Sequence, residues 1–233
     1  MGNYIMMITE QLISSGEVLS KMDEMRKTRN RLLAEKVIKG LESRHMTGYF
    51  AETKEDALKK ALELIPEGAS LSWGGAKSAG DIGLLEAVKK GNYTVYDRAD
   101  AKSDEEKKLV IQKAFGCDWF IAGSNAVTED GILVNLDGNS NRVACIAYGP
   151  EHVLMIVGMN KIAKDVDAAI YRVRNEAAPI NAQRFPIETP CKVTGSCANC
   201  KSASSICCNF LITRLENHPG RMHVILVNED LGF

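Results

Sequence analysis

The sequence predicts an α/β fold in which a mostly parallel β-sheet is covered by helices on both faces. Three observations carry that expectation. From residue 46 to residue 176, short apolar segments alternate with amphipathic ones, as successive β-α-β crossovers require. Two of the apolar runs, 119–122 and 153–157, are apolar throughout and lead into glycine, as strands buried on both faces do. Between these runs polar side chains crowd a glycine-containing stretch. Asn125, Thr128, Glu129 and Asp130 come first, then Asn135, Asp137, Asn139, Asn141 and Arg142, interleaved with Gly123, Gly131 and Gly138. Ligands of open α/β sheets bind outside the carboxyl ends of strands, so this stretch is expected to floor a small-molecule site.

The elements follow in order. Residues 3–44 read as helix, with Leu12, Val18, Leu19, Met22, Met25, Leu32, Leu33, Val37, Ile38 and Leu41 at three- and four-residue steps, and Gly16 as a candidate break. This is a packing face, and the Met-rich start offers a contact for a homodimer. Residues 46–52 alternate as a strand, and Thr53 with Asp56 forms a cap for a helix reaching Leu64. After a turn at Pro66-Glu67-Gly68, a strand at 69–73 leads into the glycine-rich loop 74–83 and a helix at 84–90. That loop would expose N–H groups of Gly74 and Gly75 beside a helix start, with Lys77 and Ser78 adding a charge and a hydroxyl. It suits a carboxylate, phosphate or thioester oxygen, but matches neither GxGxxG nor the P-loop pattern, and a plain tight turn would need the same glycines. A strand at 93–96 ends at Asp97 and Arg98, expected to pair on a loop, and Ser103 with Glu106 caps a helix to Phe115. A helix is expected at 165–176, a proline-marked connection at 177–190, and a last strand at 222–227 followed by Asn228, Glu229 and Asp230.

Size and charge narrow the function. A chain of 233 residues buries a core large enough for one principal domain. We divide it into an N-terminal helical segment (1–45), an α/β core (46–189), a Cys-rich segment (190–210) and a strand returning to the core sheet (211–233). A net charge of -1 gives no basic footprint, which argues against nucleic acid and anionic membrane as partners. The start lacks the features of a signal peptide and no apolar run reaches the roughly 18 residues of a membrane span, so a soluble cytoplasmic protein is expected.

Of seven cysteines, Cys117 and Cys145 lie alone in apolar context as small core residues. Cys191, Cys197, Cys200 and Cys207 follow the spacing C-x5-C-x2-C-x6-C, with Cys208 adjacent as an alternative ligand. Four thiolates on one loop can wrap a single soft centre. A [4Fe–4S] cluster suits this compact arrangement; structural zinc is the rival, though zinc ribbons usually bring two CxxC pairs and only one is present, and metal-free thiols or a disulfide also remain. His45, His152, His218 and His223 are scattered without metal-ligand spacing.

SWGGAKSAGDIGLLEA, GNYTVYDR, AGSNAVTEDGILVNLDGNSNRVACIAYGP, VLMIVGMNKI, PCKVTGSCANCKSASSIC and HVILVNEDLGF resemble, in order and spacing, the LUD family of lactate-utilisation proteins. The resemblance covers the chain from about residue 17 onward. It implies the three-layer α/β/α fold shared with ribose-phosphate isomerases, glucosamine-phosphate deaminases and coenzyme A transferases. It also implies a place in bacterial oxidation of lactate to pyruvate alongside iron–sulfur partner subunits. AGSNAVTEDGILVNLDG is more distantly similar to a segment of methylthioribose-phosphate isomerases and translation-initiation regulatory subunits, in which an Asp serves proton transfer. Asn125 stands at that position; an amide orients or polarises a substrate oxygen but does not act as a general base.

Together these readings give an expected pocket for a small anionic metabolite, a 2-hydroxyacid, other carboxylate or phosphate. Gly74, Gly75, Lys77 and Ser78 would hold the anion. Asn125, Glu129, Asp137, Asn139, Asn141 and Arg142 would shape the pocket, with Arg142 as its bidentate anchor and Glu129 or Asp137 as candidate catalytic carboxylates. The rival is a non-catalytic metabolite-binding or regulatory module that carries structural zinc or free thiols.

Overall fold

The computed structural model describes residues 2–233, with side chains from residue 20 onward. The first helix, α1 (Gly2–Glu42), is continuous, so Gly16 does not divide it. Its buried face is Asn30, Ala34, Val37 and Leu41, at three- and four-residue steps. Met22, Met25 and Leu32, expected in that face, are instead 55%, 59% and 65% exposed: the packed part of the helix starts only near Asn30, and Leu32, two residues further on, points away from the buried face. The side chains of Leu12, Val18 and Leu19, and the Met-rich start read as a dimer contact, lie outside the described ones.

β1 (Thr47–Ala51) leads to α2 (Lys54–Leu64), where Thr53 Oγ1 accepts the Asp56 N–H at 3.1 Å, the cap expected from the sequence. β2 (Ser70–Gly74) enters the glycine-rich loop, which is less open than expected: a short helix, α3 (Lys77–Asp81), precedes α4 (Leu84–Lys90). β3 (Thr94–Tyr96) is followed by Asp97, which pairs with Lys89 at 2.5 Å rather than with Arg98. Ser103 Oγ then caps α5 (Asp104–Ala114). β4 (Trp119–Ala122) is followed by β5 (Ala126–Thr128), β6 (Leu133–Asp137) and α6 (Asn141–Ala147), before β7 (His152–Gly158) returns to the main sheet. β8 (Ile162–Ala163) and α7 (Val166–Arg172) come next. The helix continues past 176 through a π turn (Val173–Ala177) into α8 (Ala178–Ala182), where a connection was expected. Pro179 follows directly on the π turn, where the regular four-residue hydrogen-bond ladder is already interrupted. α9 (Pro190–Thr194), β9 (Asn209–Thr213) and β10 (Met222–Val227) complete the chain.

The main sheet has six strands in the order β1-β10-β7-β4-β2-β3, every pair parallel. Side chains alternate between its two faces, and both faces are apolar. Val153, Met155 and Val157 of β7 join Ala34, Val37 and Leu41 of α1 and Ile146 of α6 in one core. Leu154 and Ile156 point the other way, into a core with Ala57 and Ala61 of α2, Ala79 of α3 and Val88 of α4. The result is the three-layer α/β/α sandwich implied by the resemblance.

Two features position the site. After β2 the chain runs outward to β3 through α3 and α4 on one face, whereas after β4 it runs the opposite way to β7 through the second sheet and α6 on the other face, so the exits of β2 and β4 part from each other. That is a topological switch point. The polar stretch after β4, read from sequence as a site floor, instead builds a second sheet in the order β8-β5-β6-β9, packed through Ala126 and Val134 on Ala169 and Val173 of the α7 helix. β9 was not expected at all. Among the described residues no helix is long and apolar enough to cross a membrane.

α1 reaches the second sheet at Gly40, where a methyl group would run into the backbone of Asp130 and Gly131, the latter at φ +86°. Gly40→Ala should therefore lower stability by about 1–3 kcal/mol through overpacking, measured as a shift in the urea midpoint at unchanged slope.

Candidate functional site

At the carboxyl edge of the main sheet the two expected loops do meet. An added Cβ on Gly74 would lie 3.2 Å from Arg142 Cβ, and one on Gly75, which has φ +56°, only 3.0 Å from Arg142 Cδ. The two glycines thus let the arginine stem cross the end of β2. The guanidinium, however, faces inward. Nη1 donates to Gly123 O at 3.0 Å and Asn135 Oδ1 at 2.6 Å; Nη2 donates to Asn125 Oδ1 at 2.8 Å and Leu136 O at 2.9 Å. With the residue 7% exposed, the fork expected to grip a ligand is occupied by protein acceptors.

The other sequence candidates are distributed around this lock. Asp137 Oδ2 accepts the N–H groups of Arg142 and Val143 at 3.1 and 3.2 Å, holding the start of α6. Asn125 Oδ1 also accepts the Leu136 N–H at 2.9 Å. Asn139 is exposed, and half-buried Asn141 borders a small hollow with Ser72, Arg98 and Phe120. Glu129 belongs to a separate ionic group: Lys36 at 2.5 Å and Lys164 at 3.0 Å hold its carboxyl below the usual range. Of the residues beyond β10, Asn228 bonds Asn30 and Glu52, and Glu229 pairs with Lys54 at 3.1 Å.

What the sequence reading missed is Lys161, in the 3-10 turn (Met159–Lys161) directly after β7. It is 5% exposed, and its only hydrogen-bond partner among the described residues is Ser78 Oγ, at 3.0 Å. Burial first, then the positive charges of Arg172 and Arg142, lower its pKa to about 7, Asp81 opposing. Asp81 is not free to neutralise it: the carboxylate pairs with Lys77 and accepts the Gly232 N–H at 2.9 Å, contacts that hold it low against its own burial. Gly232, at φ +60°, lies over the pair so closely that a Cβ there would sit 2.8 Å from Ser78 Oγ and 2.9 Å from Lys161 Nζ. Arg172 borders the same edge, its Nε donating to Asn160 O at 3.1 Å and Nη1 to Asn125 O at 2.6 Å. Its Nη2 has no hydrogen-bond partner among the described residues. A buried amine without a bonded carboxylate is costly unless something else uses it, which marks this cluster as the candidate site. The signal in the sequence was a lysine three residues beyond a strand that is apolar from Val153 onward.

The Cys-rich segment runs from beside Arg174 of the π turn to the end of β6, where the Cys208 N–H donates to Asp137 O at 2.9 Å. Its thiols are free, and among the described residues no three His, Cys, Asp or Glu side chains stand in a ligating group. Burial pushes the Cys207 thiol up to about 11, with the nearby Cys191, Cys197, Cys200 and Cys208 acting in the same direction. Arg174 Nη2 reaches Cys197 Sγ at 3.7 Å.

The scattered histidines partly converge too, at the amino edge of the sheet. His152 stacks on Trp119 with ring centroids 4.4 Å apart, and His223 lies 5.6 Å from His152. Beside them is a surface groove of about 490 Å³ lined by Tyr148, His218 and Arg221. Roominess alone favours this groove. The carboxyl edge has the convergent buried polar groups, and chemistry follows those.

Comparison with known proteins places residues 34–227 under a family model described as the LUD domain. No curated protein matches the chain. Among solved structures, a DUF162 family protein from Deinococcus radiodurans aligns at 12% identity over 85% of this chain and 98% of its own, with a TM-score of 0.49. The delta subunit of eIF2B from Chaetomium thermophilum aligns at 16% identity over 52% of this chain and 54% of its own, with a TM-score of 0.34.

Two outcomes are expected. Arg142→Ala should cost about 3–5 kcal/mol in chemical denaturation, because it takes the guanidinium away from Asn135 and two carbonyls in the interior and leaves Asn125 Oδ1 only the Leu136 N–H. For Lys161, the folded amine titrates near 7 and an unfolded lysine near its ordinary 10.5, so the unfolded chain holds the extra proton between those values. Wild-type stability should therefore rise with pH across that window, relative to Lys161→Met, by at most about 1.4 kcal/mol per pH unit. Parallel stability curves for the two proteins would show that the amine is not depressed.

Proposed function

The chain belongs to the LUD-domain family, associated with lactate utilisation, and from that premise we propose that it serves the oxidation of lactate or a related 2-hydroxyacid to the 2-oxoacid, as a subunit or accessory factor. The observation that carries this reading is the meeting of Ser78, Lys161 and the Gly74–Gly75 turn at the switch point of the parallel sheet. There a small carboxylate finds a hydroxyl, an amine and, in Arg172 Nη2, a donor that the protein leaves without a partner. The anchoring expected of Arg142 passes to Arg172 and Lys161, while Arg142 holds the loops that frame them.

The second half of the proposal concerns the gathered thiols. Cys191, Cys197, Cys200 and Cys207, with Cys208 next in sequence, offer by their spacing an all-sulfur donor set that would have to close up around a soft centre, and we assign them a [4Fe–4S] cluster. Bound there, the cluster would supply one-electron transfer. The chain's own part is to gather the thiols, give up their protons on binding, and place Arg174 beside Cys197 as a counter-charge. A second reading, a non-catalytic metabolite-binding module with zinc or free thiols, is favoured by Asn125, whose amide oxygen is already taken by Arg142 and Leu136 where related enzymes need a proton-transferring acid.

Anaerobic purification followed by visible absorbance and iron and sulfide analysis tests the assignment. A brown protein is expected, carrying iron and sulfide that Cys197→Ser and Cys200→Ser both reduce; colourless, iron-free protein would leave only the second reading.

A further inference from the structure

Lys161 asks for more than an electrostatic role. Its amine is enclosed, its hydroxyl neighbour Ser78 is 1% exposed, and the nearby carboxylate of Asp81 is bonded elsewhere. The charged groups facing it are Lys77 and Asp81 from α3, Arg142 from α6 and Arg172 from α7, and cations outnumber anions among them. A lysine built only to bind an anion gains from staying protonated; this one is placed where protonation is resisted from three directions.

We infer that Lys161 is the amine of a carbonyl-condensing site, forming an imine with the keto carbon of a small 2-oxoacid whose carboxylate is held by Arg172. The Nζ lone pair attacks that carbon, a C–N bond forms, and the keto oxygen leaves as water with the two protons of the neutral amine. No oxidant or reductant is consumed, and hydrolysis reverses the step. Ser78 Oγ, already hydrogen-bonded to Nζ, is the group positioned to relay a proton to the departing oxygen. Gly232 roofs the amine with backbone alone, so ordering a ligand there requires this short segment to lift. The inference rests on the proposed function for its substrate class: a 2-oxoacid is the oxidation product of a 2-hydroxyacid.

The test uses the full-length protein, pyruvate as probe and cyanoborohydride as trap, read by intact mass and by peptide mapping. The expected result is a single reduced pyruvate adduct that maps to Lys161, disappears in Lys161→Met and slows in Ser78→Ala. Its rate should rise about tenfold from pH 6 to pH 8, as a group titrating near 7 loses its proton. Mapping the wild-type adduct keeps the test valid even where a variant fails to fold. Adducts spread over exposed lysines would overturn the inference. So would calorimetric binding of pyruvate and lactate without any adduct, which would leave the proposed anion site standing. Neither binding nor adduct would remove both.

Discussion

The Arg142 guanidinium is the interaction on which the carboxyl edge depends. The residue sits in the first turn of α6, yet its four hydrogen bonds go to Gly123 just past β4, to Asn125 before β5, and to Asn135 and Leu136 in β6. One side chain therefore ties the main sheet to the second sheet at the point where the chain leaves one for the other. Such a buried charge is tolerated because nearly every N–H finds an oxygen, with Asp137 3.8 Å from Nε. Gly74 and Gly75 are the complementary constraint, since larger residues would push the stem off the end of β2.

That lock has an electrostatic consequence a few ångströms away. A guanidinium fixed in the interior lends its field to everything near it, and Arg172 adds a second. Lys161, extending from the end of β7 into the same region, meets positive charge where a buried lysine would normally be given a carboxylate. Asp81, a carboxylate acting on it, is committed to Lys77 and to the Gly232 N–H. Burial contributes most, then Arg172, then Arg142, and together they bring the amine to about 7 through structure that already has other reasons to exist. The lock and the amine are two ends of one arrangement.

Much of the fold was legible because parallel strands buried on both faces leave a strong mark: residues 119–122 and 153–157 could hardly be anything else. Caps at Thr53 and Ser103 were equally plain, since a hydroxyl three residues before an acid at a helix start has a local cause. The second sheet was hidden because its strands are short and polar-flanked, and because β9 pairs with β6 across more than seventy residues, a contact no local pattern announces. The π turn was hidden by Pro179, which usually ends a helix. At the carboxyl edge the fold brings together the glycine turn and the Asn125–Arg142 group, both named from their places between strands and helices in the sequence. Sequence reading gave the ligand-facing role to the residue with the best chemistry for it, Arg142, because burial and hydrogen-bond saturation cannot be seen in a string. Lys161 went unnoticed for the converse reason, being one ordinary lysine among many until its surroundings are known.

The α7 helix and its π turn link the candidate site to the Cys-rich segment by simple geometry. Residues two apart on a helix point to nearly opposite sides, so Arg172 and Arg174 serve different neighbourhoods from one turn. Arg172 reaches Asn125 O and Asn160 O at the sheet edge, whereas Arg174 reaches Cys197 Sγ at 3.7 Å and Asn199 Oδ1 at 2.8 Å. The helix is itself seated on the second sheet through Ala169 and Val173, and that sheet is fixed to the main one by Arg142. A shift of the second sheet would accordingly move the cation at the carboxyl edge and the cation beside the thiols together. The two regions are held in register by the same apolar contacts.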